Sequence, residues 1–189
     1  MGGAPAWIDS SDTPLRPAPE AFGSAFLLPA LHHGRTLTLF DSVDPVWLGN
    51  VQQLQTICRR WWGYRVRAPR ATRGPAAKGE APTGGRALFF SGGADSFYSL
   101  LRGGENLDCL ITIQGFDIPV EDESRMSAVT TLVRSVAAEH GLPAVFVRTN
   151  LRSHPLIASV AWERAHGGAL AAVGHVLGEG VSEVLISSS

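Results

Sequence analysis

Residues 87–96 read Ala-Leu-Phe-Phe-Ser-Gly-Gly-Ala-Asp-Ser, and this stretch decides the fold of the chain. Its first four residues are apolar without alternation, which is typical of a strand buried on both faces of a sheet. The two glycines allow a tight turn, and Asp95–Leu101 then begins a helix whose positive end faces that turn. The stretch therefore predicts a strand, an anion-binding turn and a helix in succession.

The residues of the turn indicate which anion it would take. We expect Ser91, Gly92 and Gly93 to help form a phosphate cradle through backbone N–H groups, and Ser96 to add a hydroxyl donor. Asp95 beside a phosphate is unfavourable unless a cation lies between them, so we predict Mg²⁺ bound by its carboxylate. The turn is neither a Walker loop nor a GxGxxG dinucleotide turn. An ordinary Gly-rich turn without a ligand is the alternative.

Further apolar runs follow the turn and alternate with helical patterns, as in βαβ units. We therefore expect an α/β fold with an open parallel sheet and flanking helices, in which a ligand lies at the carboxyl ends of the strands. The remaining predicted strands are 109–113, 144–147 and 184–186, and the predicted helices are 124–140, stopped by Gly141, and 168–177.

Composition divides the chain into three parts. Residues 1–67 predict a small N-terminal α+β unit, whose first 20 residues are rich in proline and expected to be loose. Residues 68–85 are dominated by Ala, Pro and Gly and predict a linker, because such a segment cannot bury an apolar face. Residues 86–189 then form the predicted nucleotide-binding domain.

The N-terminal unit is predicted to have a β-β-α-β order. Runs 26–31 and 36–40 flank a Gly-containing turn and are typical of a hairpin. Asp44-Pro45 is a strong helix start, and apolar residues recur at three- and four-residue steps as far as residue 61. Residues 64–67 predict a further short strand.

Charge and cysteine content exclude several classes of protein. The 189-residue chain has a net charge of −1, which argues against a generally basic nucleic-acid binder. Cys58 and Cys109 lie too far apart for a CxxC pair, so a structural zinc site is not expected and both are predicted to be half-buried, reduced thiols. Without a run of apolar residues that could span a bilayer, we expect a cytoplasmic protein with no membrane contact.

The turn also carries a family resemblance. Ser91–Ser96 matches an SGGxDS signature, and with the runs Phe89–Leu101 and 115–119 and the pair His166-Gly167 the chain resembles the PP-loop ATP pyrophosphatase superfamily. It is most similar to an asparagine-synthase-like or 7-cyano-7-deazaguanine-synthase-like branch. The resemblance covers about residues 86–189 and implies a Rossmann-like fold of the adenine nucleotide α-hydrolase (HUP) type, with five parallel strands.

The resemblance implies an ATP-dependent ligase or amidating enzyme. Such enzymes adenylate a carboxylate or carbonyl oxygen of a small molecule, release pyrophosphate, and let a nitrogen or sulfur nucleophile displace AMP. ATP and Mg²⁺ are the implied cofactors. A nucleotide-binding module without turnover, or a tRNA-modifying enzyme, is the alternative.

Further site residues follow from their places after the predicted strands. The resemblance implies that Ile113–Gly115 hold adenine and that Asp117 holds ribose or metal. Arg152 or Arg148 would neutralise the charge of the leaving pyrophosphate. The pair His166-Gly167 precedes a predicted small-residue helix whose N–H groups would reach a phosphate. Ordinary loops and surface arginines are the alternatives for these positions.

Other polar residues have structural explanations. Glu121–Glu123 are expected to begin a helix, where acidic side chains are favourable, and His154 to be a solvated loop residue. The run Arg59–Arg73 mixes arginines with aromatic residues and would suit an RNA contact, but a helix end followed by a solvated linker explains it as well.

The last predicted strand ends close to residue 189. Since a parallel sheet needs its edges covered, we expect a chain truncated at its C-terminal end, with an open sheet edge through which copies associate.

Overall fold

The structure, a computed structural model, describes residues 5–73, 83–103 and 106–187. Contacts group these residues into two units that do not follow chain order. The sheet unit takes its residues from Met1–Arg16, Pro82–Leu151 and Leu177–Ser189, and the helical unit from Pro17–Ala81 and Arg152–Val176. The predicted domain limits at residues 67 and 85 stay a prediction, and residues 74–82 of the linker, with Lys78, lie outside the described part.

Strands and helices alternate through most of the described chain. The strands are β1 (Ile8–Asp9), β2 (Thr38–Leu39), β3 (Arg70–Ala71), β4 (Gly85–Phe89), β5 (Cys109–Gln114), β6 (Ala144–Thr149) and β7 (Val181–Ile186). The helices are α1 (Pro19–His32), α2 (Pro45–Trp62), α3 (Ala94–Gly103), α4 (Glu123–Glu139), α5 (Pro155–Ala158) and α6 (Trp162–Val176). No helix among these residues is both long and apolar enough to cross a bilayer.

The sheet unit confirms the α/β prediction. Its five strands lie in the order β1-β6-β5-β4-β7, and the four strands predicted from apolar runs are mutually parallel. The sheet is therefore mostly parallel and Rossmann-like. β4 lies inside the sheet, between β5 and β7, and the core beside it includes Leu88, Leu110 and Val133, all fully buried.

The first 20 residues were predicted to be loose, but Ile8 and Asp9 form the antiparallel edge strand β1 beside β6. The amide of Asn150 accepts a hydrogen bond from the backbone N of Trp7 (2.9 Å) and donates one to the carbonyl of Pro5 (2.8 Å). Asp12 accepts from the backbone N of Phe146 at 2.8 Å. The prediction relied on the proline content, but the prolines flank the paired residues rather than interrupt them. These residues are held in place by polar side chains and by pairing with the edge of β6.

The predicted hairpin of the helical unit is wrong. Residues 26–31 lie in α1, and β2 pairs in parallel with β3 rather than with a preceding strand. Ala21, Ala25 and Leu28 are buried with other residues around the helix, so its apolar run has no polar face to reveal a helical period. The predicted strand at 64–67 is also wrong, because these residues have no regular structure and the strand begins at Arg70.

The predicted helix after Asp44 is confirmed as α2. The Asp44 carboxylate accepts a hydrogen bond from the backbone N of Val46 at 2.6 Å, and Pro45 occupies the first turn. Gly63 ends the helix in the left-handed conformation, with φ +68°, which favours glycine at this position.

The predicted start of the last helix at Gly168 is wrong, because α6 begins at Trp162. Gly168 instead lies where α6 packs on α1. A Cβ atom at this position would lie 2.5 Å from the carbonyl oxygen of Ser24, whereas one at Gly167 would meet no atom within 4 Å. Gly168 therefore allows the two helices to pack closely, whereas position 167 has room for a side chain.

These neighbouring glycines predict opposite effects on stability. Gly168→Ala is expected to lower the free energy of unfolding by about 1–3 kcal/mol, because α1 and α6 must separate to accept the methyl group. Gly167→Ala is the matched control and is expected to raise the free energy by up to about 1 kcal/mol through helix propensity. Urea unfolding followed by circular dichroism measures both. Equal effects of the two substitutions would contradict the packing argument.

Candidate functional site

The turn after β4 is fixed by β5. Phe90 donates its backbone N–H to the carbonyl of Ile111 (2.8 Å), and its own carbonyl accepts the hydroxyl of Thr112 (2.7 Å). Both backbone groups of the residue that precedes the turn are therefore held. Sequence reasoning missed Thr112, although a buried hydroxyl within an otherwise apolar strand is a usable signal.

The turn itself closes on the first turn of α3. Gly92 has φ +78°, a left-handed conformation that favours glycine. The Gly93 carbonyl accepts the backbone N–H of Phe97 (3.1 Å) and the hydroxyl of Ser96 (2.7 Å), and its N–H donates to Ser91 Oγ (3.3 Å). Ser96 is buried and its hydroxyl bonds within the turn, and its predicted role as a phosphate donor stays a prediction.

Asp95 lies in the first turn of α3, and its side chain is exposed. First-turn N–H groups of a helix have no acceptor within the helix, so this end attracts an anion. The described residues hold no group of three or more His, Cys, Asp or Glu side chains placed to bind a metal ion. Proteins commonly hold Mg²⁺ through one or two carboxylates together with phosphate oxygens and waters, so the Mg²⁺ expected at Asp95 would need those further ligands and stays a prediction.

The loop after β5, predicted to hold adenine, has strong structural constraints. Gly115 is buried with φ +107°, and its N–H donates to the carbonyl of Ile118 at 2.7 Å. A Cβ atom here would overlap the carbonyl oxygen of Thr149. Ile113 is partly buried within β5, opposite Val147. The Gly115 N–H is thus already used, and the adenine role of Ile113–Gly115 stays a prediction.

Two side chains hold the rest of this loop. Gln114 is buried and donates its amide N–H to the carbonyl of Val120 at 2.9 Å. Asp122 accepts the backbone N–H of Arg125 at 3.0 Å and caps α4, so the interpretation of Glu121–Glu123 as a helix start is confirmed. Asp117 is exposed, and its predicted contact with ribose or metal stays a prediction.

Other candidates at the carboxyl ends of the strands already have partners within the sheet unit. Arg148 forms an ion pair with Glu123 at 3.0 Å. Ser187, at the end of β7, donates its hydroxyl to Ser99 Oγ of α3 at 2.9 Å. This bond joins α3 to the strand beside β4, and residues 188–189 lie outside the described part.

Arg152, His166 and Gly167 belong to the helical unit. The guanidinium of Arg152 lies 4.9 Å from the ring centre of Trp162. His166 and Gly167 lie within α6, so the predicted helix N-terminus does not fall at these residues, although their ligand role itself stays a prediction. His154 is buried and caps α5, which corrects its interpretation as a solvated loop residue.

The arginine-rich run has partners of its own in the helical unit. Arg59 and Arg60 lie in the last turn of α2, where positive charge is favourable, and Arg73 pairs with Asp41 at 3.5 Å. Trp61 is 69% exposed. The helix-end explanation of this run therefore has direct support, and the RNA contact stays a prediction.

Neither cysteine has the environment of a reactive thiol. Burial raises the pKa of Cys58, and burial followed by the negative charge of Asp108 raises the pKa of Cys109. Both thiols are therefore held in the neutral, poorly nucleophilic form at neutral pH. Both cysteines are unpaired as predicted, with Cys109 partly buried and Cys58 fully buried rather than half-buried.

Gly115 provides a test of the site's framework. Gly115→Ala is expected to destabilise the protein by more than about 2 kcal/mol, because the methyl group meets Thr149 in addition to the cost of a positive φ. Gly141→Ala is the matched control, since Gly141 has φ +67° but open space around it, and is expected to cost about 1 kcal/mol. Chemical unfolding of both variants measures the difference, and equal losses would show that the close approach contributes nothing.

Comparison with known proteins adds no relative. No protein-family model, curated protein or solved structure matches this chain. The case for its function therefore rests on the residues and the geometry described above.

Proposed function

We propose that the turn Ser91–Ser96 binds the phosphates of ATP, and that the chain is an ATP-dependent adenylating enzyme acting on a carboxylate or carbonyl of a small molecule. The observation that carries the proposal is the place of this turn in the sheet. It follows β4, an interior strand flanked by β5 and β7, and leads directly into the N-terminus of α3.

The strand order explains why this place suits a ligand. The chain passes from β4 to β5 on one side, whereas β7 pairs with β4 on the other. The strand order thus reverses at β4, and in open α/β sheets nucleotides bind outside the carboxyl ends of the strands at such a reversal. The turn follows β4 at that end, which supports the proposal of a nucleotide site of the adenine nucleotide α-hydrolase type.

The chemistry follows from the groups at the turn. Gly92 and Gly93 bring the backbone close to a phosphate, and the end of α3 adds its positive dipole. Bound Mg²⁺ would neutralise the charge between Asp95 and the phosphates. A substrate oxygen then attacks the α-phosphorus in line, and the bond to the bridging oxygen breaks. Pyrophosphate leaves, and a nitrogen or sulfur nucleophile afterwards displaces AMP.

The remaining candidate residues do not all receive a role in ATP binding or turnover. Arg148 pairs with Glu123, and the predicted role of Arg152 at the leaving pyrophosphate stays a prediction, since Arg152 lies in the helical unit and the turn in the sheet unit. His166 and Gly167 receive no role, since the N–H groups of residues inside a helix are used by the helix.

A nucleotide-binding module without turnover is the second candidate. The Arg148–Glu123 ion pair favours it, because this arginine of the sheet unit is then unavailable to the leaving group. Both candidates share the phosphate turn, so they differ in product formation and not in ATP binding.

The carboxylate of the turn is tested by Asp95→Asn. We expect Mg²⁺-dependent ATP affinity to fall at least about tenfold, because the amide cannot replace a charged ligand of the cation. Glu139→Gln is the matched control, since it removes an exposed acidic charge from the last residue of α4, and should bind normally. Isothermal titration with and without Mg²⁺ measures the affinities, and an unchanged affinity in Asp95→Asn would remove the metal role.

The site of ATP cleavage separates the reaction classes. If the turn holds the outer phosphates, turnover with an acceptor gives AMP and pyrophosphate, which ³¹P NMR distinguishes from ADP and orthophosphate. Formation of ADP and orthophosphate would exclude adenylation. ATP binding without any turnover across a panel of carboxylate acceptors would instead favour the binding module.

A further inference from the structure

A second concave site lies in the helical unit, among α1, α2 and α6. It has a volume of about 370 Å³, which falls within the range of small-molecule pockets. Its lining includes buried Leu27, Leu28 and Val51 from two of the helices. On α6 small residues, among them Gly167 and Ala171, line the space between Arg164 and His175 and leave it open.

Two polar side chains that line this cleft are hydrogen-bonded to each other. The indole N–H of Trp47 donates to Ser24 Oγ at 2.9 Å. The titratable residues of the lining are Arg164 and His175, and no Asp or Glu belongs to it among the described residues. The cleft thus combines an apolar interior with basic side chains and no acidic one.

Arg164 is held in position beside the cleft. Its guanidinium lies 5.3 Å from the ring centre of Trp62, another residue of the lining, and one of its N–H groups donates to the hydroxyl of Tyr64 at 3.3 Å. Tyr64 in turn contacts His32 Nδ1 at 3.2 Å. Among the described residues no carboxylate pairs with Arg164, so its other N–H groups suit a planar anion from outside the chain.

We propose that this cleft binds a small amphiphilic carboxylate, with its aromatic or aliphatic body among the helices and its carboxylate on Arg164. The site is independent of the phosphate turn, since every lining residue lies in the helical unit. Charge decides between classes of ligand. A cationic ligand would meet Arg164 without a compensating acid, and a neutral ligand would leave the guanidinium unused.

Three indole derivatives of nearly equal size test the charge preference on the full chain. Indole-3-acetate is expected to bind saturably by isothermal titration, at least about tenfold more tightly than indole-3-acetamide, with tryptamine the weakest. Arg164→Gln should remove the preference for the acid, whereas Arg60→Gln, which changes an exposed arginine of α2 outside the cleft, should preserve it.

A second variant tests the location. Gly167→Leu should abolish binding of the acid and the amide alike, because its side chain fills the cleft while a Cβ at residue 167 meets nothing. Asp95→Asn should bind indole-3-acetate normally. The proposal is overturned if no indole derivative binds saturably at millimolar concentration, if tryptamine binds as tightly as the acid, or if neither Arg164→Gln nor Gly167→Leu alters binding. It is also overturned if the cleft proves to be a self-association surface, seen as oligomers in sedimentation that Gly167→Leu dissolves.

Discussion

The backbone of Phe90 is the constraint on which the candidate phosphate site depends. Its N–H and carbonyl are both bonded to β5, and it is almost fully buried. The turn that follows therefore starts from a fixed point on an interior strand of the sheet. The ring of Phe90 also meets Phe97 of α3 edge-on at 5.0 Å, which fixes the helix that the turn leads into. Phe90 thus contacts both β5 and the helix that follows the turn. A rigid turn loses little conformational entropy when its N–H groups bind an anion.

Other segments of the sheet unit are also held by hydrogen bonds of single residues. Gln114 and Asp122 hold the loop between β5 and α4, and Asn150 holds the N-terminal residues against the outer strand. Each is a polar side chain bonded to backbone groups that would otherwise lack partners. Polar residues near the strand ends therefore have structural contacts, because a strand end that can meet a ligand is also where the chain must turn.

The sequence predicted the sheet unit well for a physical reason. Strands buried on both faces are continuous apolar runs, and Gly92 and Gly141 mark turns that need a positive φ. The helical unit was harder because α1 is buried around most of its circumference, so a run such as Phe26–Leu31 fits a strand and a helix equally well. The start of α6 was misjudged because glycines were taken as a boundary, whereas Gly168 marks a close contact with α1 that depends on residues far away in sequence. Contacts of Asn150 with residues 5–7 were equally beyond local patterns.

The central claim, that the turn after β4 binds the phosphates of ATP, is tested most directly by ¹⁵N-resolved NMR of the full chain during titration with Mg²⁺ and ATP. The account predicts saturable shifts of the amide signals of Gly92, Gly93, Ala94 and Asp95, with one common affinity. Saturable binding that leaves these four amides unmoved, or a titration that shifts no amide at millimolar nucleotide, would contradict it.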